Sequence, residues 1–132
     1  MPTAAADAVA IDMLATPGAD ALGFLTGRVR DAAGRAVVAA GRWQGLGRAY
    51  PTLDVGEATR AELELARTQL CDAVSVLAAH MRRDGLPPQR MLVVVKDAVR
   101  AALTPVAADA PGTRDVMNDA VRCGIDAYYA AA

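Results

Sequence analysis

The stretch HMRRDGLPPQRMLVVVK, residues 80–96, holds the chain's one histidine, His80, and its one lysine, Lys96. An imidazole can serve as base, nucleophile or phosphoryl acceptor, and a desolvated amine can serve as a nucleophile. Neither residue has a visible collaborator. There is no second histidine for a metal pair, and no serine or cysteine stands at a recognisable elbow. Glycine and two prolines lie between the two residues, so the competing reading is architectural. One helix stops at Gly85 and another starts at Pro87 or Pro88, with His80 half-buried near the first end. Lys96 then lays its stem along the apolar face of the second helix and extends its ammonium outward.

The strongest chemical reading of His80 comes from HMRRDG, which resembles the helical site of histidine phosphotransfer domains, themselves four-helix bundles of about this size. The resemblance implies His80 as phosphoryl acceptor and Arg83, three residues on, as the cation that neutralises phosphate charge. The pattern departs from that site in two ways. Asp84 stands where a small residue follows the basic position, and Gly85 ends the helix where that helix would continue.

Residues 22–53 carry Arg28, Arg30, Arg35, Arg42 and Arg48 against the single acid Asp31, together with Phe24, Trp43 and Tyr50. Guanidinium and aromatic groups mixed in this way can stack on the bases of single-stranded nucleic acid. The spacing is irregular, however, and the whole chain carries a formal charge of −1, which argues against nucleic acid as its partner. Asp115, Asp119 and Asp126 fall on one side of a C-terminal helix with Arg122 among them, which reads as a solvated face rather than a cation site. Cys71 and Cys123 are too few and too far apart for a metal centre or a disulfide framework, and are expected as small buried apolar residues. No cofactor and no metal is expected.

The elements that position these residues are helices. A chain of 132 residues is one domain's length and can bury about two-thirds of its unfolded surface. Apolar residues reach 54%, but alanine supplies much of that, so the core must rest on a modest set of Leu, Val, Ile and Met. In residues 54–85 the apolar positions 63, 66, 70, 74, 77 and 81 form one stripe at helical spacing. Asp54 with Glu57, or Thr59 with Glu62, has capping-box spacing at its start. At its end Gly85 suits a left-handed closure, with Leu86 folding back. Leu92, Val95, Val99 and Leu103 continue the pattern beyond MLVVV and select helix over strand there. Met117, Ala120, Val121, Gly124 and Tyr128 line the last helix. Residues 24–40 read as a glycine-weakened helix, with a hairpin as the alternative, and GRWQGLGRAYP reads as a loop. Short connections favour antiparallel neighbours.

The expected architecture is therefore all-α, a small up-down bundle of three to four helices. It divides into residues 1–53, basic and glycine-rich in their second half and partly helical or flexible, and a helical domain, 54–132. No apolar run approaches the ~20 residues that cross a bilayer, and residues 1–20 lack the basic start of a signal peptide, so no membrane and a cytoplasmic setting are expected.

The segments GLPPQRMLVVVK and VRCGIDAYY are similar to those of a group of small bacterial proteins that pair a GLPPERVLVALK-like segment with an RWxIxxYY-like ending. The similarity covers about residues 60–129, with Cys123 standing where tryptophan is usual. It implies a shared helical fold and transfers no catalytic residue. The expectation for function is a non-catalytic regulatory or protein-interaction module. It would engage a protein partner or a second copy, with Trp43, Tyr128 and Tyr129 as anchors. An enzyme is the competing class.

Overall fold

In the computed structural model the described residues are 17–49, 56–104 and 112–131, with side chains for 21–43, 56, 58–104 and 112–131. They form four helices: α1 (Pro17–Ala49), α2 (Glu57–Arg83), α3 (Pro88–Leu103) and α4 (Thr113–Ala130). No strand occurs among the described residues, so the hairpin alternative for residues 24–40 and the strand alternative for 91–95 both fall away. The protein is an all-α bundle of four helices.

Helix α1 is held by Val29, Ala32, Ala33, Ala36, Val37 and Ala40, a buried stripe whose small side chains let neighbouring helices come close. It runs on through residues 41–49, where a loop was expected. The helix persists there despite the weak propensity of its glycines. Ala39 and Ala40 are buried, and Ala40 lies against Gly112 at the start of α4. Gly112 has φ +86°, and a Cβ on it would lie 2.5 Å from the Ala40 Cβ, so this position requires glycine twice over. The boundary expected between residues 53 and 54 lies outside the described residues, as do Tyr50 and Asp54. Arg48 belongs to α1, but its side chain is not among those described. Val29, Ala32, Ala33, Ala36, Val37 and Ala39 of α1 belong to the same core cluster as buried residues of the other three helices.

Helix α2 starts after Gly56, with the Arg60 N–H donating to the Gly56 carbonyl and no side chain capping the end. Thr59 and Glu62 therefore lie inside the helix rather than forming its capping box. The expected stripe is observed: Ala66, Leu70, Val74, Leu77 and Met81 are buried and Leu63 packs at their edge. The helix closes as its sequence requires. Gly85 takes φ +78°, its N–H donates to Arg82 O, and the Leu86 N–H donates to Met81 O, each at 3.0 Å. Pro88 then opens α3, where its missing N–H has no helical partner to lose. Met91, Val95, Ala98 and Val99 face the core from α3, with Leu92, Ala102 and Leu103 at the margin. On α4 the buried line is Thr113, Val116, Ala120, Gly124 and Tyr128. Val116 is thus central, while Met117 and Val121 are only half-buried.

Side-chain pairs fix how the helices run. Arg42, late in α1, bonds Glu62, early in α2, so these two are antiparallel. Arg67 bonds Asp119, and one turn further on Cys71 meets Cys123, so α2 and α4 run parallel. Helix α1 packs on α2 and α3, and α4 packs on α2 and α3, while α2 and α3 barely touch. The short corner 84–87 thus carries the chain across the diagonal of the bundle instead of laying neighbours side by side. Met81 and Met91, on either side of that corner, both end fully buried.

Candidate functional site

The residues singled out for chemistry do not converge. His80 sits one turn from the end of α2 with its side chain 18% exposed, and its Nε2 lies 3.3 Å from the Asp84 Oδ2, shielded from solvent and without a hydrogen bond. This nitrogen is buried beside the helix end that the glycine turn creates. Arg83 is exposed, at the same end of α2. Lys96 is half-buried on α3 beside Arg100, along a hollow floored by Met117, Val121 and Ile125 of α4. That placement suits an aliphatic stem on an apolar surface.

Tyr128, expected as an interaction anchor, is a buried core residue. It is 4% exposed, and its hydroxyl donates to the Leu86 carbonyl at 2.5 Å, satisfying the polar tip that burial would otherwise strand. The Arg82 guanidinium stands 4.9 Å above its ring, and Tyr129 meets it edge-on at 5.4 Å between centroids. So α4 seals the α2–α3 corner. Tyr129 remains exposed, and Trp43 is partly exposed at the α1 end, beside Ala40, Leu63 and Val116.

The acidic face of α4 also differs from the expectation. Asp115 and Asp126 are exposed, but Asp119 has a side-chain exposure of only 16% and is held from two sides. Arg67 Nε donates to its Oδ2 at 2.8 Å, and Arg122 donates to its Oδ1 at 3.1 Å. This is an interhelical clamp rather than a solvated stripe. Cys71 and Cys123, expected as separate buried residues, are half-buried and joined as a disulfide, their Cα atoms 5.4 Å apart. The parallel packing of α2 on α4 brings them together one turn beyond the clamp. Among the described residues no group of three or more His, Cys, Asp or Glu could hold a metal ion.

The described arginines of residues 22–53 do not gather into a uniform basic patch. Arg42 pairs with Glu62 at 2.7 Å, while Arg28 and Arg35 border a hollow that also contains Asp31 and Asp72. Cations and anions alternate across this face.

The feature the sequence reading missed is a groove of about 900 Å³ across the outer face of α1, bounded by α2 and reaching the end of α3. Val38 and Leu65, each 58% exposed, stand in it with Gly34, Ala39, Ala66 and Ala102. Arg30, Asp31 and Arg35 edge it. The available signal was the seven-residue spacing of Phe24, Asp31 and Val38. No helix is long and apolar enough to cross a membrane among the described residues. No family model, no curated protein and no solved structure matches the chain.

Proposed function

We propose that the protein is a non-catalytic interaction module whose working surface is the outer face of α1. The observation that carries this reading is the groove itself. Exposed large apolar side chains are normal when scattered, but Val38 and Leu65 share one concavity with an alanine- and glycine-lined floor and a charged rim. A helix seated there would cover apolar atoms and meet polar groups only at the edges, the usual anatomy of a protein interface. The proposed setting is the cytoplasm, where Cys71 and Cys123 would rest as thiols until oxidised. We also propose kinship, from the pattern at residues 60–129, with the small bacterial helical proteins that share it.

A photo-reactive benzoylphenylalanine placed at Leu65, with Asp97 on α3 as the control position, tests this in host cells. A discrete covalent adduct from position 65 and none from 97 is expected. Equal labelling from both positions, or none from either, would remove the groove as a working surface.

A further inference from the structure

The groove's own chemistry selects its occupant: we infer that the outer face of α1 docks against the same face of a second copy of this chain, around a two-fold axis. The inference rests on the interaction reading above and names the partner.

Three observations lead there. First, the face is apolar and long. Phe24 is 67% exposed and Val38 58%, and they stand two heptads apart on one side of α1, with Leu65 of α2 beside them. Residues 24–41 span about 26 Å at 1.5 Å per residue. A stable pair usually needs about 800 Å² from each partner, which such a seam with its α2 flank is long enough to approach.

Second, the charges suit a turned copy better than a uniformly charged partner. Asp31 and Arg35 are both exposed on this face, and neither has an ion-pair partner among the described residues. A surface that alternates both signs is repelled in part by any partner of one sign. A copy of itself, turned end for end, can set Asp31 against a guanidinium of the other chain.

Third, the register that matches the charges also matches the shapes. In antiparallel packing the residues at i and 65 − i lie across the seam from one another. Phe24 then faces Gly41, Val38 faces Gly27, and Asp31 faces Gly34, beside Arg30 and Arg35 of the other copy. Phe24 and Val38 each meet a position without a Cβ, and Asp31 gains a guanidinium in both copies at once, while Arg30 and Arg35 meet one another at the edges of the seam. A Cβ added at Gly27, Gly34 or Gly41 would meet nothing within 4 Å inside this chain, so the chain's own packing gives no reason for glycine there. This is the isologous arrangement, in which one patch is its own complement.

Sedimentation velocity of the full chain, from micromolar to several hundred micromolar, tests the inference. The expected result is a species of twice 13.6 kDa that dissociates on dilution. Gly34→Leu and Val38→Glu should each weaken it at least 100-fold while leaving the helical circular dichroism and melting of the monomer intact, because both positions face outward. Asp31→Arg alone should weaken it, and Asp31→Arg with Arg35→Asp should restore it. A strict monomer at every concentration, or a dimer indifferent to Gly34→Leu and Val38→Glu, would overturn the proposal. If position 65 still gives its adduct in cells while the chain sediments as a monomer, the interaction reading survives and the second copy is replaced by another protein.

Discussion

The bond between Cys71 and Cys123 offers the sharpest quantitative test of this structure. It closes a loop of 52 residues. In the chain-entropy treatment, a loop of that length removes about 14 cal/mol/K from the unfolded ensemble, which is about 4 kcal/mol at 25 °C. Domains of this kind are stable by about 5–15 kcal/mol in total, so the bond would represent a large share. With an unfolding entropy of about 2.1 cal/mol/K per residue over 132 residues, 4 kcal/mol corresponds to about 15 °C in melting temperature. The assay is a thermal melt of protein oxidised with glutathione disulfide, compared with the same protein reduced, and with Cys71→Ala plus Cys123→Ala. The double variant controls for thiol chemistry, and because both residues are only half-buried its packing loss is small. Reduced protein and double variant should melt together, well below the oxidised form. Oxidised and reduced melts that coincide to within about 3 °C would refute the reasoning. So would two titratable thiols surviving oxidation, since these would show that α2 and α4 do not hold the sulfurs side by side.

Further outcomes follow from the same geometry. Gly112→Ala should cost more than 2 kcal/mol in chemical denaturation, since it combines a left-handed φ with a Cβ 2.5 Å from that of Ala40, whereas Gly23→Ala, with nothing within 4 Å, should stabilise by about 0.5–1 kcal/mol. Tyr128→Phe should cost about 1 kcal/mol by removing the hydrogen bond from α4 to the 84–87 corner, read as a lower denaturant midpoint at unchanged m-value. Asp119→Asn should cost about 1 kcal/mol at low salt, since Arg67 and Arg122 are both substantially exposed, and the difference from the parent should shrink in 1 M salt.

Much of the bundle was legible because its signals are local. The 63–81 stripe, the Gly85 closure and the proline start of α3 are each decided within a few residues by period and backbone preference. What was illegible depends on contacts between helices. Residues 41–49 carry weak helix propensity, yet α1 runs on through them, with Arg42 reaching across to Glu62 of α2. Tyr128 and Tyr129 are indistinguishable as neighbours in sequence, yet α2 and the corner bury the first and leave the second in water. Cys71 and Cys123 lie 52 residues apart, and nothing local announces that two helices separated by a third will run parallel. The candidate surface was half visible: Phe24 and Val38 could be seen to share a face, but that this face points away from the core follows only from where α2 and α3 sit.

The corner at residues 84–87 also sets the order in which the molecule can be finished. A pair of helices joined by a short turn and lying side by side can settle as soon as both have been made. Here the two helices joined by the shortest turn sit at opposite corners, so their union waits for the flanking helices to fill the space between them. On a growing chain the last of the four to emerge carries the tyrosine that bolts the turn in place, and until then Met91, which lies against Gly124, has no lid. A nascent protein stalled before Tyr128 should therefore stay open to proteases and chaperones, however much helix it already contains.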